Sequence, residues 1–198
     1  MNVAANKLMK ALVHSSLNAR MQIYVNKSDL SLIEGVKDPI EDCYDLEMSI
    51  IMLWGFLGSV TLKLYFNIDK AIKLTANSLN IPVSEVDPQI ARSFIAEFSN
   101  NQGGYLKGFL EKSEILTSMS LPMLAHGSDE ATFRKIRDPR THADQCSILI
   151  DGMEFIFTSE ICLLNPEGVL AKAIPIQQEI DSNLLLLNRG NSGGIKFL

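Results

Sequence analysis

Glu97 and Asn100 stand three residues apart in the stretch RSFIAEFSNNQGGYLKGFLEK, which spans residues 92–112. On an α-helix, side chains three positions apart lie next to each other on one face. Gly104 follows on the same face and carries no side chain, so the backbone of another molecule could approach closely there. A carboxylate, a carboxamide and a bare patch on one exposed face suit a docking surface that carries chemistry.

Two adjacent glycines, Gly103 and Gly104, are unfavourable inside a helix, where each costs roughly 1 kcal/mol relative to alanine. We interpret both as part of the bare patch of this surface. The ordinary alternative is a solvated helix face, on which Glu, Asn and Ser are common and only keep the protein in solution. The pair Glu97 and Asn100 alone is compatible with either interpretation.

The helix that must carry these residues has a strong start signal in Asp87 and Pro88. Asp87 can cap the free amides of the first turn, and proline is well tolerated at the first helical position. The pattern predicts a helix from Pro88 to about Lys112. Its core-facing stripe, at the helical period, consists of Phe94, Ile95, Phe98, Tyr105, Leu106 and Phe109.

The other segments predict an α+β fold, in which an antiparallel sheet has long helices packed on one face. No structure is assigned to most of residues 166–198. The remaining predicted elements are a helix over 2–20, a short strand and loop over 21–37, a hairpin of strands 45–53 and 58–66, a helix from a cap at Asn67 or Asp69 to Leu79, an extended segment over 115–126 broken by Pro122, and a hairpin of 147–150 and 155–164.

Composition excludes several classes of protein. The 198 residues suffice for one domain, and a net charge of −5 argues against nucleic acid or an anionic membrane as the partner. The longest apolar run, 48–60, is too short to span a bilayer. The cysteines Cys43, Cys146 and Cys162 are scattered and odd in number. We therefore expect no disulfide framework, no metal site and a cytoplasmic location.

A longer pattern resembles the signature of the CheC/CheX/FliY family of chemotaxis phosphatases. That signature is Asp or Ser, three residues, Glu, two residues, Asn, and then Pro after about 21–22 residues. Ser93, Glu97, Asn100 and Pro122 match it in order and spacing. The glycine that the family tends to carry four residues past the Asn corresponds to Gly104.

Further parts of the chain are similar to the same family. They include the S-L-P segment at 120–122, the glycine-interrupted hairpin at 45–66 and the helix at 69–79. The resemblance covers residues 1–165, which we expect to form a CheX-like phosphatase domain. Residues 166–198 are left as a C-terminal extension of unclear structure.

The resemblance implies a role for each matching residue. The family's substrate is the phosphoaspartate of a CheY-like response regulator, which brings its own Mg²⁺ and lysine, so no cofactor is expected on this chain. Asn100 would position the attacking water, and Glu97 would reach the regulator's lysine. Ser93, Gly104 and Lys107 would contact the partner. The catalytic residues are thus predicted to be Glu97 and Asn100.

The resemblance also implies an assembly. The first helix carries no second Glu and Asn pair, which favours the single-site, CheX-like arrangement. CheX-like proteins are dimers in which the sheets of two subunits join, so we expect a homodimer. The alternative is a non-catalytic dimeric binding domain that docks a response regulator or another signalling partner. The long basic loop at 129–145 and the extension favour that alternative, because they could cover the helix.

Four further residues receive an ordinary interpretation. Trp54 is predicted to anchor the core or a dimer edge. His126 and His142 are predicted to lie in solvated loops. Asn101 points about 100° away from Asn100 on a helix, so it is not predicted to be a second catalytic amide.

Overall fold

The computed structural model describes residues 3–24, 30–34, 43–130, 132, 138 and 140–190. Within them, seven antiparallel strands form one sheet in the order β1-β6-β7-β3-β2-β4, and β5 pairs with β2 beside β4. The strands are β1 Leu30–Glu34, β2 Glu47–Gly55, β3 Gly58–Phe66, β4 Thr117–Met119, β5 Met123–His126, β6 His142–Ile150 and β7 Met153–Leu163.

The helices pack on one face of this sheet and share a single large core with it. This arrangement confirms the predicted α+β class. The helices are α1 Val3–Tyr24, α2 Ile68–Leu79, α3 Pro88–Lys112, α4 Pro166–Leu170 and α5 Ala173–Gly190. None of the helices in the described ranges is long and apolar enough to cross a membrane.

The long helix α3 has the bounds that the sequence predicts. The Asp87 carboxylate accepts a hydrogen bond from the Ile90 amide at 2.8 Å, and Pro88 occupies the first helical turn. The predicted stripe faces the core: Ile95 and Leu106 are fully buried, as are Phe98 and Phe109, while Phe94 and Tyr105 are partly buried. The helix is therefore fixed to the sheet along its whole length.

Several predicted boundaries are wrong. The helix α1 continues to Tyr24, past the predicted end at residue 20, because buried Met21 extends its apolar face. The strand β6 begins at His142 and so includes the end of the predicted basic loop. Cross-strand pairing with β7 supplies the hydrogen bonds that propensity alone did not indicate. Residues 131, 133–137 and 139 of that loop lie outside the described ranges.

After residue 165, buried residues of the described part of the extension belong to the same core. Val169 of α4 and Ile176 and Ile180 of α5 are buried among the residues of the main core. Asn165 caps α4 by accepting a hydrogen bond from the Gly168 amide at 2.9 Å. Most of residues 166–190 is thus helical, and Val169, Ile176 and Ile180 fix the helices to the core, whereas 191–198 lie outside the described ranges.

The opposite face of the sheet carries a buried charge network. Lys63 of β3 is 2% exposed and donates to Glu130 at 2.9 Å and to Glu160 at 2.9 Å. The Tyr65 hydroxyl donates to Glu130 at 2.8 Å. Burial and the neighbouring Glu130 carboxylate raise the pKa of Tyr65 well above its ordinary value, so the phenol keeps its proton. Trp54, on the same face, is 47% exposed, which excludes a place in the core.

Candidate functional site

The predicted site residues lie together on the solvent side of α3. Ser93, Glu97 and Gly104 are exposed, and Asn100 and Lys107 are partly buried. We call these five residues the α3 face. They follow each other at intervals of three or four positions, so they form one strip along the helix, opposite the core.

Asn100 sits in the middle of the α3 face. Its carboxamide makes no hydrogen bond to any other residue that the structure describes. One carbonyl oxygen and one amino group are therefore available at once to a water or a partner. The neighbouring Ser99 is buried instead, because it lies on the core side of the helix.

Glu97 is held by a residue that the sequence interpretation set aside. Asn101 donates from Nδ2 to Glu97 Oε1 at 2.7 Å and to the Glu97 carbonyl oxygen at 3.0 Å. Asn101 was not predicted to be part of the site, yet its amide contacts Glu97 directly. The sequence did contain a signal for this contact, because Asn101 follows Glu97 by four residues and side chains at that spacing meet on a helix.

The two adjacent glycines of α3, Gly103 and Gly104, have different roles. A methyl group added at Gly103 would meet Ile51 Cδ1 and Met119 Sδ at 2.9 Å each, so Gly103 lets the helix pack closely on the sheet. The prediction that Gly103 belongs to the bare patch is therefore wrong. A methyl group at Gly104 would meet nothing within 4 Å, which agrees with an open docking position.

Lys107 ends the α3 face with an internal ion pair. Its Nζ lies 2.6 Å from Glu111 Oε1, one turn further along the helix. At the other end, Arg92 makes two hydrogen bonds to Glu47 of β2, at 2.6 and 2.7 Å. This bidentate contact ties the start of the α3 face to the sheet and leaves Ser93, the next residue, on the open side.

Two further contacts set the position of α3. Gln102 is 1% exposed, and its side chain reaches α1. In the amide orientation that gives both its nitrogen and its oxygen a partner, Nε2 donates to the Ser16 carbonyl oxygen and Oε1 accepts from the Leu17 amide, each at 3.1 Å. Sequence reasoning missed this buried amide because glutamine is usually exposed. Pro122 lies between β4 and β5, the two short strands that pair with β2. It interrupts the strand beside α3, as expected, and does not lie on the α3 face.

The described residues contain no group of three or more His, Cys, Asp or Glu side chains that could hold a metal ion. His126 and His142, predicted in loops, lie in β5 and β6. His126 caps the short turn that follows β5, where its ring accepts from the Ser128 amide. That role is structural, and it places this histidine outside the α3 face.

Comparisons with known proteins identify the class of fold. No protein-family model matches the chain, and no curated protein matches it. A CheC-like chemotactic protein from Shewanella oneidensis superposes with a TM-score of 0.57 at 16% identity, over 82% of this chain and 99% of the other. The chain therefore has the fold of the CheC-like chemotaxis proteins.

Two CheX structures match to a similar degree. CheX from Vibrio vulnificus gives a TM-score of 0.54 at 15% identity, over 79% of this chain and 99% of that one. CheX from Borrelia burgdorferi, solved with CheY, BeF₃ and Mg²⁺, gives 0.53 at 15% identity, over 78% of this chain and 96% of that one. The predicted CheC/CheX-like architecture is confirmed at the level of the fold.

Proposed function

We propose that this protein dephosphorylates the phosphoaspartate of a CheY-like response regulator. The observation that carries the proposal is that Glu97, which is exposed, and Asn100, which is partly buried, lie side by side on the solvent side of α3. Their spacing matches the family motif, and the fold is that of the CheX proteins, one of which was solved with CheY bound. Mg²⁺ would arrive on the regulator, not on this chain.

The chemistry asks little of the phosphatase. An acyl phosphate is already activated, so the main need is a water held in line with the phosphorus. The Asn100 carboxamide can orient that water by accepting one hydrogen bond and donating another. Because it is neutral, it does not repel the phosphoryl oxygens. Glu97 would repel them, so a role in docking suits it better than a role as general base.

Glu97 instead pairs with the regulator's lysine in this proposal. Asn101 already holds one carboxylate oxygen, Oε1, at 2.7 Å. The second oxygen can still accept from an incoming ammonium group. The carboxylate is thus oriented before docking, which reduces the conformational entropy lost on binding.

The experiment measures phosphate release from CheY-like receiver domains phosphorylated with acetyl phosphate. The wild type is expected to accelerate release. Asn100→Ala is expected to lose about 10²–10³ in rate, the usual cost of removing one positioned group, while binding to the same receiver loaded with BeF₃ and Mg²⁺ is kept. Asn100→Asp should be no faster than Asn100→Ala, since it adds a negative charge beside the phosphoryl group.

A matched control is Asn77→Ala, which removes an amide from the exposed side of α2. It should leave the rate unchanged. If Asn100→Ala releases phosphate at the wild-type rate, the catalytic assignment is wrong. Binding without any acceleration by the wild type would instead support a non-catalytic binding domain, which the exposed apolar side chains of Trp54 and Phe56 favour as a second candidate.

We also propose that the protein is a homodimer joined at a sheet edge. The edge strand β5 exposes Met123 and Leu124, and Leu121 before it is 84% exposed. An open apolar edge favours pairing with another strand. Light scattering at a protein concentration on the order of tens of micromolar should give twice the monomer mass, because association depends on concentration. A monomer mass there would contradict the proposal.

A further inference from the structure

A second feature adjoins the α3 face, at the junction of α1 and α3. The side chains of Arg20, Tyr105, Phe109 and Lys112 surround a shallow hollow of about 210 Å³. Its floor is formed at Gly104 and Gly108, where an added methyl group would meet nothing within 4 Å. The hollow shares Gly104 with the α3 face, so a molecule docked on that face also covers the hollow.

Two cations border this hollow. The Arg20 guanidinium lies 4.3 Å from the centre of the Tyr105 ring, and Lys112 Nζ lies 5.5 Å from the centre of the Phe109 ring. Stacking on an aromatic ring fixes the position of a cation without neutralising its charge. Both side chains reach the hollow from its rim, one from each helix.

Arg20 keeps hydrogen-bonding capacity to spare. Its Nε is buried and has no acceptor among the described residues. Among the residues that the structure describes, Arg20 also forms no ion pair with a carboxylate within 4 Å. Burial is the main cause that raises the pKa of Tyr105, and the negative charge of Glu179 on α5 raises this pKa further. The positive charge of Arg20 lowers it. A guanidinium presents several donors in one plane, which matches a carboxylate in particular.

The charges along α3 are therefore ordered. Glu97 is acidic, and Tyr105, on whose ring the cationic Arg20 stacks, follows eight residues later, or about 12 Å along the helix at 1.5 Å per residue. Glu111, the next carboxylate along α3, is already engaged by Lys107, and Glu179 of α5 lies near enough to Tyr105 to raise its pKa. A partner that offers a cation to Glu97 and an anion to Arg20 can dock in only one direction.

We propose that this hollow binds an acidic side chain on the surface of the docked regulator, with Arg20 as its main contact and Lys112 as a second. The inference rests on the proposed function, because it assumes that the regulator covers the α3 face. It adds a specificity contact that neither Glu97 nor Asn100 provides. The open floor at Gly104 and Gly108 is what lets the acidic side chain enter.

The test uses the full chain and a CheY-like receiver domain loaded with BeF₃ and Mg²⁺. Arg20→Glu should raise the dissociation constant at least tenfold and reduce its dependence on salt, because one charge pair is reversed. Arg20→Lys should retain most of the affinity. Lys73→Glu, on the exposed side of α2, makes the same change in net charge elsewhere and should have no effect.

A second variant guards against a folding effect of the arginine substitution. Gly108→Leu fills the hollow and improves helix propensity, so it should weaken binding while the melting temperature holds or rises. Phosphate release at saturating receiver should stay at the wild-type rate in both Arg20→Glu and Gly108→Leu. A raised KM with unchanged kcat is the signature of a docking contact.

The outcomes separate the two proposals. A wild-type protein that binds no receiver contradicts the proposed function, and this inference fails with it. Wild-type binding that Arg20→Glu and Gly108→Leu both leave unchanged overturns the inference alone. Restoration of binding when an acidic surface residue of the receiver is changed to lysine, in combination with Arg20→Glu, would identify the matching carboxylate.

Discussion

Asn101 donates a hydrogen bond from Nδ2 to Glu97 Oε1 at 2.7 Å, across one turn of α3. The contact couples a residue outside the recognised motif to one inside it. An exposed pair of this kind contributes about 0.2–0.5 kcal/mol to an isolated helix. In the proposed docking role, its value would lie in the orientation of the Glu97 carboxylate, which would otherwise rotate freely.

Asn101→Ala is expected to weaken receiver binding about twofold, which is the equivalent of that hydrogen-bond energy. Asn101→Asp should weaken it more, because a second carboxylate four residues away repels Glu97. Titration of both variants with a BeF₃-loaded receiver measures the effect, and Asn77→Ala on α2 serves as the control. Equal affinity of Asn101→Asp and wild type would show that Glu97 needs no support.

The two adjacent glycines of α3, Gly103 and Gly104, should respond in opposite directions to alanine. Gly103→Ala gains about 1 kcal/mol of helix propensity but overpacks Ile51 and Met119, at a cost of about 1–3 kcal/mol. We expect a net loss of stability. Gly104→Ala should gain about 0.5–1 kcal/mol, since its surroundings are open. Denaturant unfolding measures the stability of both variants, and each variant serves as the control for the other. A Gly103→Ala variant more stable than the wild type would refute the packing role.

Lys63→Met is expected to cost about 3–5 kcal/mol of unfolding free energy, because it leaves Glu130 and Glu160 without the cation that both contact. Lys73→Met makes the same chemical change on the exposed side of α2 and should stay within about 0.5 kcal/mol of wild type. Urea denaturation measures both. Similar midpoints for the two variants would mean that the network adds little to stability.

The C-terminal helix should prove necessary for the fold. Ile176 is 1% exposed, so Ile176→Ala should cost about 2–5 kcal/mol. Ile174, two residues earlier in α5, is 74% exposed, and Ile174→Ala should change little. A chain that ends at residue 165 would lose Ile176 and Ile180 and expose the face of α1 that they cover. Cooperative unfolding of such a truncated chain at the full-length midpoint would show that the extension is dispensable.

Local signals predicted much of this architecture. Asp87 and Pro88 gave the start of α3, and its apolar period gave the buried face, because capping and periodicity are written in adjacent residues. The position of Glu97 and Asn100 on the solvent side of the helix followed from the same period. Each of these features depends only on residues that lie within one or two helical turns of it in the sequence.

Other features depend on contacts between distant segments and could not be read locally. The role of Gly103 is set by Ile51 and Met119, which approach it from two strands of the sheet. The partners of Gln102 lie in α1, and the packing of α5 depends on a helix at the other end of the chain. Arg20 joins the neighbourhood of Tyr105 only through the packing of α1 on α3.

The α3 face is the outer side of a helix whose inner side is core, from Ile95 to Leu106 and Phe109. A change in the backbone position of Glu97 relative to Asn100 would therefore require the helix to unwind or to leave the sheet. Evolution of a new partner specificity is then confined to side-chain replacement on a fixed frame. Partners that dock on this face would have to converge on one surface shape, because the helix itself has little room to adapt to each of them.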